Sequence, residues 1–204
     1  MKRIIVICLI IITLLSTTSL ISCSRRAPEL EDVRERFIYL IENSKKVNMI
    51  FFGSGLPVYD REGVIATEKG IYYNDELPAY NRVMEMSSYL TVEEMKQLSN
   101  EIYSTEYMAA LYETAFEGVM TGSTSAYLRF LETSNWIYQN RYATDYKLSD
   151  RIYDYSTMEI VKPSNGEYVN ITIESYTLED RTRKKVLLTF VYERGNWYLD
   201  SPTY

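Results

Sequence analysis

The residue types that could carry out chemistry are unevenly represented in this chain of 204 residues. It contains no histidine and two cysteines, Cys8 and Cys23, but 28 acidic residues and 20 tyrosines. Zinc sites built from cysteine and histidine, and Ser-His-Asp or Cys-His catalytic groups, need imidazoles or free thiolates. Only carboxylate, tyrosine, lysine and serine chemistry remains, and no spacing of these residues indicates a catalytic pair. We therefore expect a protein that is not an enzyme and that binds no metal and no cofactor.

Cys23 ends a segment that has the order of parts typical of a secretory signal. Lys2 and Arg3 precede an apolar run over residues 4–15, and small polar residues follow it. The run becomes polar too early for a transmembrane helix, which needs about 20 mostly apolar residues. The residues Leu20-Ile21-Ser22-Cys23 then resemble the lipobox of bacterial lipoproteins, in which an aliphatic residue and two tolerant positions precede an invariant cysteine.

This resemblance implies that residues 1–22 are a lipoprotein signal peptide and that Cys23 carries diacylglycerol and palmitate. Residues 23–27 would be a short lipidated tether, which places the protein on the extracytoplasmic face of a bacterial membrane. From Cys23 to Pro28 the chain reaches at most ~18 Å, so we expect the domain to lie close to the lipid bilayer. The alternative is an ordinary secreted protein with a free thiol, which would be a liability in an oxidising compartment.

The net charge indicates which partners suit the chain. It is −6 for the whole sequence. Removal of residues 1–22 leaves 20 basic and 28 acidic residues, a net charge of −8, because Lys2 and Arg3 are the charged residues of that segment. Nucleic-acid binding needs clustered lysine and arginine for phosphate contacts, so we expect no nucleic-acid partner. An acidic surface would instead favour a basic envelope protein and speed its encounter.

Apolar spacing in the first part of the domain predicts helices. Residues 28–52 carry apolar side chains three and four positions apart, the period of an amphipathic helix, and Gly53 is a suitable stop. Thr91 and Glu94 have the spacing of a capping box, which predicts a second helix. Ser104 precedes a third helical pattern.

The later part of the chain predicts strands. Short candidates occupy residues 126–131, 136–141 and 155–162, after a first short candidate at residues 79–86. Alternating apolar residues then predict longer, half-buried strands up to a closing pair, Trp197 and Leu199. Helices followed by a meander indicate an α+β class. We expect a single domain of residues 28–204, with N-terminal helices packed on a curved antiparallel sheet.

Two segments resemble known families. Residues 186–204, VLLTFVYERGNWYLDSPTY, resemble the last hairpin of the NTF2-like and cystatin-like superfamily, where an alternating strand, a glycine turn, a tryptophan and a closing aspartate recur. Residues 80–116 are similar to a segment of the secreted DL-endopeptidase inhibitors of cell-wall hydrolases. The second resemblance implies a restraining partner for a wall hydrolase, although those inhibitors usually carry no lipid.

Residues 56–78 are polar and contain glycine and proline, which predicts a 23-residue loop. The median connection has ~4–6 residues, and loops of this length are usually functional or disordered. The candidate partner-binding residues are Tyr59, Tyr72, Tyr73, Asp75 and Glu76, because aromatic anchors ringed by acids suit a basic cleft. The alternative is that the tyrosines fold back as a lid on the sheet.

The leading functional hypothesis is a membrane-anchored binding module that contacts an envelope protein or inhibits a cell-wall endopeptidase. The alternative is a small-molecule pocket in an NTF2-like cone, with or without catalysis by carboxylates or tyrosine.

Overall fold

The computed structural model describes residues 26–59, 64–67, 70–73, 80–117, 120–121, 124–125, 128–133, 136–140, 148 and 151–204. The helices in this part of the chain are α1 (Leu30–Phe52), α2 (Val92–Ile102) and α3 (Thr105–Tyr112), and α3 continues as a π-helical turn (Glu113–Glu117). The strands are β1 (Val64–Thr67), β2 (Gly70–Tyr73), β3 (Tyr80–Arg82), β4 (Met120–Thr121), β5 (Thr124–Ser125), β6 (Phe130–Glu132), β7 (Ile137–Asn140), β8 (Arg151–Val161), β9 (Tyr168–Thr177), β10 (Lys184–Glu193) and β11 (Asn196–Leu199). The predicted α+β class is confirmed.

The main layer contact is between α1 and a four-stranded antiparallel sheet in the order β11-β10-β9-β8. The Phe37 ring of α1 stacks on Phe190 of β10, with the ring centroids 3.8 Å apart, and meets Trp197 edge-on at 5.7 Å. In β9 every second side chain is buried, as the alternation predicted. Trp197 is 9% exposed and Leu199 is fully buried, so their expected burial is confirmed.

The helix boundaries follow local sequence signals. Thr91 and Glu94 form the predicted capping box: the Thr91 hydroxyl accepts the Glu94 amide, and the Glu94 carboxylate accepts the Thr91 amide. The Ser104 side chain caps α3 by accepting the Tyr107 amide. Gly53 ends α1, and its amide donates to the carbonyls of Asn48 and Met49.

Helix α1 packs on an antiparallel sheet, as expected, but the described strands form two main sheets instead of a single curved one. The second sheet has three strands in the order β3-β7-β6, and β1–β2 and β4–β5 are separate two-stranded ladders. Strand β3 precedes α2 but pairs with β7, far along the chain. Local patterning does not reveal a pairing between residues so distant in sequence. The helices-then-strands order holds for β4–β11, whereas β1–β3 lie between α1 and α2.

Residues 56–78 are not a structureless loop, since they contain the antiparallel ladder of β1 and β2. Two short runs rich in β-branched and aromatic residues, Val64–Thr67 and Gly70–Tyr73, are separated by two residues, and this spacing suits a hairpin. Other strand limits also differ from expectation: β6 begins at Phe130, and β8 begins at Arg151. Strand β8 has 11 residues, and its register on β9 shifts between Asp154 and Glu159.

Candidate functional site

A stack of three side chains, of which Trp136 is exposed and Tyr59 and Arg82 are half-buried, lies beyond the C-terminal end of α1. The guanidinium carbon of Arg82 lies 4.6 Å from the centre of the Tyr59 ring and 4.4 Å from that of the Trp136 ring. Both distances are within the range of an attractive cation–π interaction. The stack therefore holds three long side chains in one arrangement at the protein surface.

Backbone pairing between segments that are distant in sequence places the members of the stack. Val58 and Val83 form an isolated antiparallel bridge. The Tyr59 amide donates to the Arg82 carbonyl at 2.9 Å. Trp136 comes directly before β7, whose Tyr138 pairs with Arg82 of β3. Three separate segments thus converge on one spot.

Two buried polar side chains attach the segments that carry the stack to the end of α1. Arg129 is 5% exposed; its Nε donates to the Ile50 carbonyl at 2.8 Å and its Nη2 to the Gly53 carbonyl at 2.7 Å. A cation at the carbonyl end of a helix is electrostatically favourable. Gln139 donates to the Ser54 carbonyl at 2.9 Å and accepts the Leu56 amide at 2.7 Å. The segment leading to Tyr59 is therefore held from both sides.

Glu85 completes the polar side of the stack. Its carboxylate forms an ion pair with Arg82 at 3.1 Å and accepts a short hydrogen bond from the Tyr59 hydroxyl. This hydrogen bond is the main reason why the pKa of Glu85 is lowered and that of Tyr59 is raised. At neutral pH the carboxylate is charged and the phenol is protonated, the state that keeps the bond intact.

Two exposed apolar side chains follow Glu85 in the chain. Met86 is 81% exposed and Leu90 is 47% exposed, and Trp136 of the stack itself is 37% exposed. Tryptophan, tyrosine and arginine are the residue types most enriched at binding hot spots, and methionine is also enriched in interfaces. We define the contact surface as Tyr59, Arg82, Glu85, Met86 and Trp136.

A shallow groove of about 300 Å³ is formed by residues between Ser88 and Glu101, which follow Met86 of the contact surface in the chain. It is lined by Ser88, Tyr89, Glu94, Gln97, Leu98 and Glu101. The Glu94 carboxylate accepts the Leu90 amide at 2.7 Å, which is the main reason why its pKa is lowered. Glu94 therefore maintains the start of α2 and also leaves the groove negatively charged.

The predicted partner-binding residues are only partly described. Tyr59 belongs to the stack, and Tyr72 and Tyr73 lie on β2, paired with Ile65 and Val64 of β1. Asp75 and Glu76 lie outside the described residues. Sequence reasoning missed Arg82, Glu85, Met86 and Trp136. The Val58–Val83 bridge brings Arg82 and Glu85 to Tyr59, and the pairing of β3 with β7 brings Trp136 to Arg82. No local pattern signals either pairing.

A second polar cluster is buried between α1, β8 and the last residues of the chain. Thr203 Oγ1 lies 2.6 Å from Ser44 Oγ and accepts from Asn48 Nδ2 at 2.8 Å. Tyr103 donates to Asn48 Oδ1 at 2.7 Å, and Tyr153 donates to the Thr203 carbonyl at 3.0 Å. Burial raises the pKa of Tyr103 to about 12. These hydroxyls stay protonated and serve as internal hydrogen-bonding groups.

No protein-family model and no curated protein matches this chain. Within the described residues, no group of three or more acidic, cysteine or histidine side chains is arranged to hold a metal ion. None of the helices in that part of the chain combines the length and the apolar character needed to span a membrane. Among the residues that the structure describes, the contact surface is therefore the feature that bears on function.

Proposed function

We propose that this chain is a membrane-anchored extracytoplasmic binding module that contacts a basic envelope protein through its contact surface. The observation that carries the proposal is the Tyr59–Arg82–Trp136 stack, in which hot-spot residue types are at least partly exposed and yet held in place. A pre-ordered surface loses less side-chain entropy on binding, so more of its contact energy appears as affinity.

The charge of the chain supports a basic partner. Residues 23–204 carry a net charge of −8, since Lys2 and Arg3 fall in the preceding segment. Glu94 and Glu101 line the neighbouring groove, and Glu85 lies in the contact surface itself. Complementary charge raises association rates and disfavours like-charged competitors.

The most specific form of the proposal is restraint of a cell-wall endopeptidase. It is supported by the similarity of residues 80–116 to the secreted inhibitors of these enzymes, a segment that contains Arg82, Glu85 and Met86. The test is to add the purified chain to wall hydrolases of the same cell envelope, and to measure both complex formation and peptide-bond cleavage. Complex formation without loss of cleavage would retain the binding module and reject the inhibitor.

A matched pair of variants tests the surface. Trp136→Ala removes an exposed ring of the stack, whereas Leu178→Ala removes an exposed apolar side chain next to the β9–β10 turn. Hot-spot truncations typically cost 2 kcal/mol or more, roughly a 30-fold loss of affinity. We expect that loss for Trp136→Ala and an unchanged affinity for Leu178→Ala. Equal effects of the two substitutions would reject the contact surface.

The membrane anchor is supported by the lipobox-like residues Leu20-Ile21-Ser22-Cys23. Cells that express the wild type and Cys23→Ala should be supplied with labelled palmitate and then fractionated. The wild type should incorporate the label and remain with membranes, and the variant should do neither. Equal labelling of both chains would remove the anchor from the proposal.

An NTF2-like or cystatin-like identity of the domain is part of the same proposal. It is supported by the packing of α1 on the sheet of strands β8–β11 and by the closing hairpin with Trp197. The side chains of α1 fill the inner face of this sheet, where Phe37 stacks on Phe190. Because α1 occupies this face of the sheet, contact with a protein through the outer surface is favoured over a small molecule bound inside an NTF2-like cone.

A further inference from the structure

The position of the contact surface relative to the anchor defines which partners it can reach. We infer that the domain presents the contact surface on the side away from the bilayer, to a basic protein whose docking site lies outside the membrane. This inference rests on the proposed lipid anchor at Cys23, and the geometry of α1 carries the remainder.

The start of α1 lies at one end of the four-stranded sheet. Arg36, less than two turns into the helix, donates from Nε to the Trp197 carbonyl at 3.1 Å, and Trp197 is the second residue of β11. The β10–β11 turn at Arg194 and Gly195 and the β8–β9 turn lie at this same end, since the Tyr192 amide donates to the Glu167 carbonyl at 2.7 Å. We call this the tether end.

From the tether end, α1 runs along β11 toward the last residues of the chain. Ser44 and Asn48 both contact Thr203, and the Phe52 ring lies 4.6 Å from that of Tyr204. The 23 residues of α1 span about 33 Å at 1.5 Å per residue. The two ends of the helix are therefore separated by roughly the thickness of the hydrocarbon core of a bilayer.

The contact surface is attached to the far end of α1. Arg129 bonds the carbonyls of Ile50 and Gly53, and Gln139 bonds the main chain at Ser54 and Leu56. These buried bonds make the surface a continuation of the helix end, so it does not swing independently toward the tether. An anchor at Cys23 thus enters at one end of α1, and the stack is presented beyond the other.

This arrangement distinguishes two kinds of partner. A membrane-spanning partner beside the anchor would meet the tether end, where Glu167 and Arg194 are exposed. A protein bound to the wall or free outside the bilayer would meet Arg82 and Trp136 at the opposite end. The hot-spot residues of the contact surface favour the second kind of partner.

The test measures the height of three sites above a membrane. Single cysteines are introduced into the full chain at Glu167, at Lys46 along α1, and at Ser88 beside the contact surface; all three positions are exposed. Cys8 falls in the predicted signal and Cys23 is predicted to be acylated, so the new thiol is the labelling site. The lipidated protein, carrying a fluorophore there, is placed in phosphatidylethanolamine–phosphatidylglycerol vesicles with and without nitroxide-labelled lipid.

We expect a strong loss of emission for Glu167→Cys, a smaller loss for Lys46→Cys and no loss for Ser88→Cys. Equal losses at the three sites, or the reverse order, would overturn the inference while leaving the anchor intact. Failure of the unlabelled wild type to float with vesicles would instead overturn the proposed anchor and this inference with it. Flotation therefore separates the two failures before any fluorescence is measured.

Discussion

Replacing Thr203 by valine should destabilise the domain even though the two side chains have the same shape. Thr203 is 6% exposed, and its hydroxyl accepts from Asn48 Nδ2 at 2.8 Å. In the variant, Ser44 keeps its bond to the Ile41 carbonyl and Tyr103 keeps its bond to Asn48 Oδ1. Asn48 Nδ2 is therefore the donor that loses its acceptor. An unsatisfied buried donor costs about 1–3 kcal/mol, and no cavity is created to add to this loss.

Urea and thermal unfolding of the purified variants measure this loss. For a domain of this size each kcal/mol corresponds to about 2–4 °C in melting temperature. Thr203→Ser is the matched control, because it keeps the hydroxyl and removes one methyl group, a loss of about 0.8 kcal/mol. A valine variant as stable as the wild type would refute the reasoning. A serine variant less stable than the valine variant would show that methyl packing outweighs the hydrogen bond.

Burial holds the pKa of Tyr103 at about 12, above the ordinary value of about 10. The stability that the protonated Tyr103 contributes is thus complete below pH 10 and is lost as the pH rises toward 12. Tyr103→Phe should reduce the fall in unfolding free energy over this pH range, measured by urea titrations. An unchanged dependence of that free energy on pH would contradict the assignment. Thr91→Ala should destabilise the domain by about 1 kcal/mol in the same assay, because the Glu94 amide loses its cap. Gly55→Ala should destabilise the domain more than Gly195→Ala, although both glycines have φ near 79°. A Cβ at Gly55 would lie 2.1 Å from the Gln139 side chain, whereas a Cβ at Gly195 would have no neighbouring atom within 4 Å. Equal losses of stability would show that backbone strain alone matters.

Local sequence signals were sufficient for much of the main layer. The apolar spacing of α1, the Thr91–Glu94 capping box and the alternation in β9 each depend on residues close in the chain, and the structure has all three. Trp197 could be assigned to the core for the same reason, since it alternates with Leu199 beside a turn. These features need no knowledge of distant contacts.

The second sheet and the contact surface could not be predicted in this way. Strand β3 has three residues, and its partner β7 follows more than fifty residues later. Such short segments carry little periodicity. Whether two of them pair depends on the entropy of closing the long loop between them and on the contacts of the whole fold. The burial of Arg129 is equally non-local, because its acceptors are carbonyls at the end of α1. The β1–β2 hairpin is different, because its two strand-like runs can be seen in the sequence. The polar residues around them led to the prediction of a loop.

The contact surface also could not be predicted because it is recognised by the exposure of its side chains, which the sequence pattern does not reveal. Met86 and Trp136 would pass for core residues in any composition-based argument, and only the structure shows them at 81% and 37% exposure. The sequence prediction named Tyr59 among its partner-binding residues and attributed binding to loop tyrosines ringed by acids, which stays a prediction. In the folded chain Tyr59 is instead locked to Arg82 and Glu85 by a cation–π contact and a hydrogen bond. A binding role for Tyr59 therefore depends on two residues that are distant in sequence, and substitutions of Arg82 should affect it as strongly as substitutions of Tyr59 itself.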